Sequence, residues 1–348
     1  MTGRKLGAMK NQSALGLRLR TSHDVVSAVP YLLGFYPSDS LVAIGTEGPQ
    51  GSCTLRLDLP PAEHVDEVAE HVAWLLAGNG FRCAVLVGYG GVARVGPIMA
   101  AARAAMATRG IEVLEALRVD GRRFWSETCM VPDCCPPDGS PYDITTSLIA
   151  VQATAAGRVA LTSRAELVRS VAPVRGPARG AMRKATERAR LRRGRWLVEC
   201  GGDRELVRAR MADEGTPHVR DLLRRPGGPP SDDEVAWLGV LLTDLAVRDE
   251  ALTHTDADRL ELWRDVLRRV EQPFAAAPGC LTAYAAYLSG DGALANVALD
   301  RAIATDPDYE LAALLRDIML TGVPPAKLRH RLEVIACPPP DTQPAAGS

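Results

Sequence analysis

Cys83-Ala84-Val85-Leu86-Val87-Gly88 is an unbroken apolar run closed by glycine. A strand with one wet face alternates apolar and polar side chains, so a short unbroken run predicts a strand buried on both faces of its sheet. Downstream, residues 95–108 read as a helix, 111–119 as a strand, and 122–126 as a short return strand behind the Asp120-Gly121 turn. Upstream, Pro60 and Pro61 open a helix reaching about Asn79, with Val65, Val68, Ala69, Val72, Ala73, Leu75 and Leu76 on one stripe. Residues 40–45 and 52–57 are two β-rich runs around a hairpin loop at 46–51. Thr21-x-x-Asp24 caps an apolar helix through Val25, Val26, Val29, Leu32 and Leu33, with Pro30 placed to kink it. Residues 15–20 alternate as an edge strand would. Strands alternating with helices, some paired antiparallel by tight turns, predict an α/β domain with a mixed sheet.

After Asp143 the texture changes to Ala, Leu, Arg and Glu at helical spacing, broken by proline at 173–177, 226–230, 273–278 and 324–325. No strand-like segment recurs, and the breaks predict roughly eight helices. The expected organisation is a disordered lead over 1–14, an α/β sandwich domain with a Cys-Pro loop over 15–145, an all-α helical domain over 146–336, and a disordered tail over 337–348. A chain of 348 residues also exceeds the roughly 250–300 at which single cores stop growing.

The charges nearly balance, with 41 basic against 42 acidic side chains and a net charge of −1. No global field therefore draws the protein to nucleic acid or to an anionic membrane. No apolar run approaches the ~18 residues of a membrane span, and Arg4, Lys5 and Lys10 are not followed by the apolar core of a signal peptide. These features predict a cytoplasmic protein. In that compartment eight cysteines point to free thiols, metal ligands or redox chemistry rather than a disulfide scaffold. Cys53, Cys83, Cys200 and Cys280 lie among apolar residues and read as small buried hydrophobes, while Cys337 sits in a Pro-rich tail and reads as exposed.

Cys129, Cys134 and Cys135 are different. They share a loop with Pro132, Pro136, Pro137, Gly139 and Pro141, which make the backbone a rigid excursion, neither helix nor strand. Zinc takes four tetrahedral donors, and C-x4-C-C supplies three thiols, two of them adjacent and poorly placed to point at one ion. A fourth ligand would come from Asp133, Asp138, Asp143, a distant residue or water. Zinc, a redox-active thiol pair and plain packing of a stiff loop are the three readings.

Gly88-Tyr89-Gly90-Gly91-Val92-Ala93 fits G-x-G-x-x-A between a strand and a helix, where amides and a helix dipole hold phosphate. The strand is not the first of its sheet, and Glu112 and Glu115 lie inside the next strand rather than at its end, which argues against a dinucleotide. A glycine turn for tight packing is the plainer reading, and a single anionic group is the functional one. Phe35-Tyr-Pro-Ser-Asp39-Ser40 delivers Asp39 and Ser40 to the start of a strand. No His stands close by in the sequence, His23 being the nearest, so a hydrolytic triad is unsupported. The candidate pocket comprises Asp39, Ser40, Gly88, Tyr89, Gly90, Arg123, Trp125, Cys135, Tyr142 and Asp143.

Residues 175–195 carry nine basic side chains against the single acid Glu187. A helix so charged could touch phosphates, with Trp196 stacking, yet no nucleic-acid motif accompanies it. Pairing with the acidic stretch 232–265, or plain solvation, is the expected fate of these charges. Residues 290–307 resemble the second half of one tetratricopeptide repeat, with Ala295 and Ala302 as the small residues of close helix approach and Pro307 as the stop. The first helix departs from that pattern, and one repeat makes no solenoid. A hairpin docked on its own domain and a groove for a protein partner are the two readings.

Taken together, Ala28-Val-Pro-Tyr-Leu-Leu-Gly-Phe-Tyr-Pro-Ser-Asp-Ser-Leu-Val42, the Gly88-Tyr-Gly90 turn, Trp125 with Cys129 and Cys134-Cys135-Pro-Pro-Asp-Gly-Ser-Pro-Tyr142, and Gly290-Asp-Gly-Ala-Leu-Ala295 resemble the actinobacterial domain of unknown function 4192 family. The resemblance runs from about residue 17 to 325 and implies a cytoplasmic bacterial protein, with no assigned activity to carry over.

Two functions of different class follow. One is a non-enzymatic binding or scaffold protein, with a protein partner met through the helical domain. The other is an enzyme or ligand-binding domain for a small anionic molecule, nucleotide or phosphate-bearing, held by residues 88–91 and neutralised by Arg123, with Asp39 or a cysteine doing the chemistry.

Overall fold

The computed structural model describes residues 9–10 and 18–328, apart from 50, 130, 226–227 and 326. The tail at 337–348 and Cys337 lie outside the described residues. Two compact units form, one ending at Leu167 and one beginning at Val168.

The first unit holds β1 (Met9–Lys10), β2 (Arg18–Leu19), α1 (Ser22–Leu33), β3 (Ser40–Gly48), β4 (Gly51–Asp58), α2 (Val65–Gly78), β5 (Cys83–Tyr89), α3 (Val92–Thr108), β6 (Glu112–Asp120), β7 (Arg123–Ser126), β8 (Ser140–Pro141) and α4 (Leu148–Ala155). Six strands form one mixed sheet in the order β4-β3-β5-β6-β7-β8. Only β5 and β6 run parallel, joined by α3, and the other pairs are antiparallel. The α/β expectation is met, and every residue of β5 is buried.

Pleating decides which residue serves which face. Leu41, Ala43, Ala84, Leu86 and Ala116 pack with Val72, Leu76, Ile98 and Met106 of α2 and α3. The alternate positions Val42, Val85, Val87, Tyr89, Leu117 and Val119 are buried on the opposite face, where α1 packs against β6 and against α4. α1 begins with a complete capping box, Thr21 accepting from the Asp24 amide and Asp24 reaching back to the Thr21 amide.

Two expectations need correction. Residues 15–20 were expected to form an edge strand of the sheet; of the lead 1–14, expected to be disordered, all but Met9–Lys10 lies outside the described residues. Arg18–Leu19 instead pairs with Met9–Lys10 in a separate two-stranded sheet, while Ser40–Gly48, Gly51–Asp58 and the later strands fill the large one. The Cys-Pro loop also contains a strand: Ser140–Pro141 pairs with β7 at the sheet edge, where Pro141 has no neighbour that needs its missing amide. The composition changes at Asp143, yet α4 packs on α1 and the Leu161 amide donates to Gly34. These contacts carry the first unit on to Leu167.

After α5 (Arg164–Ser170), which spans the join, the second unit contains α6 (Gly176–Glu199), α7 (Arg204–Arg224), α8 (Asp232–Leu241), α9 (Leu245–Thr253), α10 (Leu260–Arg269), α11 (Ala276–Leu288), α12 (Gly292–Thr305) and α13 (Glu310–Leu320). No strand is present after residue 150 among the described residues, Leu161 making only an isolated bridge to Phe35. More helices form than the proline breaks announce, because Asp203, Asp244 and Asp291 cap helix starts that no proline marks. α11 and α12 form the expected hairpin. Residues 276–286 of α11 are all buried, so its inner helix is core rather than groove lining. Trp263 is fully buried and donates to Thr255 Oγ1 at 2.8 Å. Cys83 and Cys280 are buried as expected, whereas Cys53 and Cys200 are only partly covered; Cys200 follows the last turn of α6, where the helix end faces solvent. Among the described residues no helix is long and apolar enough to cross a membrane.

Candidate functional site

The Cys-Pro loop leaves the sheet at Ser126, the last residue of β7, and is pinned at both ends. At its start, Glu115 is buried in mid-β6, and its Oε1 accepts from Ser126 Oγ at 2.7 Å and from Thr128 Oγ1 at 2.5 Å. Its Oε2 accepts from Ser22 Oγ of α1 at 2.9 Å. Ser126 Oγ in turn accepts from the Cys129 amide at 3.1 Å. At the far end, Arg123 Nη1 donates to the carbonyls of Asp138 at 3.1 Å and Gly139 at 2.7 Å, and Trp125 Nε1 donates to Pro137 at 2.9 Å. The Arg118 guanidinium covers the Trp125 ring at 3.7 Å, a cation–π contact that fixes the indole from the sheet side.

Between these anchors the chain turns so that the Val131 carbonyl accepts from both the Cys134 amide at 3.1 Å and the Cys135 amide at 2.7 Å. The thiols of Cys129, Cys134 and Cys135 consequently converge, every Sγ within 4.8 Å of the other two. Adjacency of Cys134 and Cys135 was expected to keep them apart. The helix-like winding at 132–135 overrides that, because it projects consecutive side chains about the same axis instead of to opposite sides. Among the described residues no carboxylate or imidazole joins the group, so Asp133, Asp138 and Asp143 stand outside it. The three thiols are inequivalent. The Val131 amide, helped by the Cys135 thiol, holds Cys129 below the ordinary thiol range. Burial, reinforced by hydrogen bonds with Cys129 and Cys134, pushes Cys135 up to about 12.

The remaining candidate residues divide by face. Ser40 and Tyr89 are register partners, as are Tyr89 and Val119, so Asp39, Ser40, Tyr89 and Gly90 meet at one sheet edge. Asp39 adopts φ 42°, and its carboxylate reaches to 3.6 Å from where a β-carbon on Gly90 would stand. Ser40 Oγ donates to the Ser38 carbonyl at 2.5 Å. Tyr142 joins from the β8 side, its ring edge-on to Phe124 at 6.2 Å and its hydroxyl donating to Gly121 at 3.2 Å. The Tyr89 hydroxyl is buried without a partner, and burial raises its pKa far above the ordinary value.

Trp125 pairs with Arg118 and so points to the opposite face from Phe124, Val119 and Tyr89. Arg123, two residues earlier, shares the Trp125 side and shares its Nη1 between the two loop carbonyls. Asp143 is exposed and caps a short helical turn, accepting from the Thr145 amide at 2.9 Å and hydroxyl at 2.7 Å, bonds that hold its carboxyl below the ordinary range. Gly88 serves packing, since a β-carbon there would stand 2.3 Å from Val95 Cγ1. The clefts lined by residues 100–113 of α3 and β6 and by residues 183–191 of α6 with Glu271 involve none of these residues.

The sequence reading missed Glu115 as an organiser and Arg118 as the support of Trp125. A signal for Glu115 existed: it stands in mid-strand between Leu114 and Ala116, and a carboxylate buried there must be paired or hydrogen-bonded. For the basic helix α6, Arg188 meets Asp233 at 2.5 Å, yet Asp232 and Asp265 pair with Arg269 rather than with α6. The expected face-to-face pairing is thus confined to one bridge between the two stretches among the described residues.

Comparison with curated proteins and with solved structures finds no match. The profile of one family matches residues 23–326, a span that contains the six-stranded sheet, the thiol loop and the helices through α13. The chain belongs to the family described as Domain of unknown function (DUF4192).

Proposed function

We propose that this is a non-enzymatic binding protein whose Cys129–Cys134–Cys135 loop holds one zinc ion. The observation that carries the reading is the convergence of three thiols within 4.8 Å on a loop already latched by Arg123, Trp125 and Glu115. Zinc–sulfur bonds of about 2.3 Å in a tetrahedron set sulfur–sulfur separations of ~3.8 Å, so contraction by at most about 1 Å closes the site. Cys134 is exposed, which leaves a fourth position for water or for a ligand from a partner. A protein partner meeting the helical unit belongs to the same reading, and the exposed Leu191, Val198 and Leu206 of α6 and α7 support it. An anion at the sheet edge is less well supported, because Arg123, the cation meant to neutralise it, stands on the opposite face of the sheet from Tyr89.

Native mass spectrometry with elemental analysis, on the full chain purified with zinc supplied and without chelator, tests the proposal. About one zinc per chain is expected, lost in C129S and in C135S. A metal-free chain whose three thiols are all reduced, and which takes up no added zinc, overturns it. A Cys129–Cys135 disulfide that survives purification overturns it in favour of redox chemistry, in which the more acidic Cys129 would be the attacking thiol.

A further inference from the structure

Residues 175–195 set nine basic side chains against one acid, and the winding of α6 sorts most of them onto two flanks. Its buried stripe is Met182, Ala185, Thr186, Ala189 and Trp196, one face at the helical period. On one side of that stripe the charges are met: Arg188 pairs with Asp233 at 2.5 Å and Arg192 with Glu214 at 3.6 Å. On the other side stand Arg179, Arg183, Arg190 and Arg193. Their spacing of i, i+4, i+11 and i+14 keeps them within about 80° of one another around the axis and spreads them along about 21 Å of helix. Arg183, Arg190 and Arg193 are exposed, and among the described residues no carboxylate pairs with any of the three. Arg179 has only Glu271, at 3.9 Å. A cleft runs along this flank, lined by Arg183, Thr186, Glu187, Arg190, Leu191 and Glu271, so Arg183 and Arg190 face one depression. Arg190 also lies over the Phe274 ring at 5.3 Å. Stacking uses the flat of a guanidinium and leaves its edge N–H groups for a ligand.

A row of uncompensated arginines on a rigid helix repels itself and is complemented by a partner whose negative charges also run in a row. Duplex DNA is such a partner, with one charge per about 1.7 Å of its axis. A single strand fits less well, because it is gripped by stacking its bases on aromatic rings; here Trp196 is buried and Phe274 is covered by Arg190. A membrane fits less well too, since surface-lying helices insert a broad apolar face and Leu191 is the one large apolar side chain lining this cleft. We infer that the flank of α6 bearing Arg179, Arg183, Arg190 and Arg193 docks on the phosphate backbone of double-stranded DNA without reading its bases. Glu271 is engaged by Arg179, and Glu187 opposes the contact, so about three phosphates are neutralised and binding is weak and strongly salt-dependent. The surface shares no residue with the thiol loop, so neither proposal stands or falls with the other.

Fluorescence anisotropy of a labelled DNA duplex of about 20 base pairs, titrated with the full chain between about 25 and 150 mM NaCl, tests this inference. Saturable binding is expected, with log K falling against log salt at a slope of about −3, as for roughly three neutralised phosphates. R183A/R190A should weaken binding at the lowest salt at least tenfold and flatten the slope to about −1. R188A, on the compensated flank, should change affinity by less than about twofold. All three positions are exposed, so the variants should fold as the wild type does. Absence of saturable binding up to about 100 μM chain at about 25 mM salt overturns the inference, and so does binding that R183A/R190A leaves unchanged. Tighter binding of polyglutamate, of phosphatidylserine vesicles or of a single strand of equal length also overturns it, and assigns the arginine row to an acidic protein, a membrane or single-stranded nucleic acid.

Discussion

The backbone of Gly139 lies flat against the Trp125 indole, so that a β-carbon at Gly139 would stand 2.5 Å from Cε2 of the ring. Gly139 also has φ +77°, a conformation costly for any residue with a side chain. G139A therefore meets both a clash and backbone strain, and the indole, held by Pro137 and Arg118, cannot retreat without releasing the loop. Hydrogen exchange should show faster exchange confined to 129–141, and zinc affinity should fall about 10–100-fold, the usual cost of disturbing the supports of a metal site.

Glu115 is a buried carboxylate satisfied by three hydroxyls and an amide. E115A leaves those hydroxyls without their acceptor and is expected to lower stability by about 2–4 kcal/mol, with E115Q near half of that. Urea unfolding followed by circular dichroism measures both. Equal losses in the two variants would show that shape, and not charge, is what the site requires.

In the metal-free chain the thiols should be modified in a fixed order. Cys129 is held below the ordinary range and Cys135 pushed up to about 12, and only the thiolate reacts. Iodoacetamide at pH 7.5 should label Cys129 well before Cys135, as read by peptide mass spectrometry. Zinc should protect both.

G88A and G91A separate packing from anion binding in the glycine turn. A β-carbon at Gly88 meets Val95 at 2.3 Å, whereas at Gly91 nothing lies within 4 Å. G88A should cost about 1–3 kcal/mol by overpacking, and G91A should be close to neutral in thermal unfolding. If the wild-type chain binds phosphate, its loss in a stable G91A would place the anion at the glycine turn.

Glu234 closes the capping box of α8 and bonds Arg225 at 2.7 Å. Arg225, with the Ser231 amide and hydroxyl, lowers its pKa to about 2 from an ordinary 4.5. A depressed carboxyl stabilises the fold above its unfolded value and loses that contribution as pH falls from about 4.5 toward about 2. Wild type should therefore lose more Tm than E234Q between pH 6 and pH 2.5. The difference should be modest, since the pair is partly exposed and screened.

Local patterns carried far in this chain. The unbroken run at residues 83–88 announced a strand covered on both faces, and the Thr21-x-x-Asp24 and proline signals marked helix starts, because periodicity and capping act over a few residues and are written in adjacent positions. The separate pairing of Arg18–Leu19 with Met9–Lys10 was not legible, since alternation shows that a strand exists and not which neighbour it will meet. Helices capped by Asp203, Asp244 and Asp291 were undercounted for a related reason: aspartate marks turns as readily as caps.

The candidate site was legible as a list of residues and not as an arrangement. Sequence alone determined that Cys129, Cys134 and Cys135 share one stiff loop, that the front of the chain is a layered sheet and the rear helical, and that charge is balanced overall. Only the tertiary structure decided that the three thiols converge, that Trp125 and Tyr89 lie on opposite faces, that Arg123 latches the loop through the Asp138 and Gly139 carbonyls, and that Glu115 gathers hydroxyls from α1 and the start of the loop. The physical reason is that pleat direction, strand register and the burial of a charge depend on partners tens to hundreds of residues away, such as Glu115 for Ser22 or Val171 for Arg301, and no local pattern encodes them.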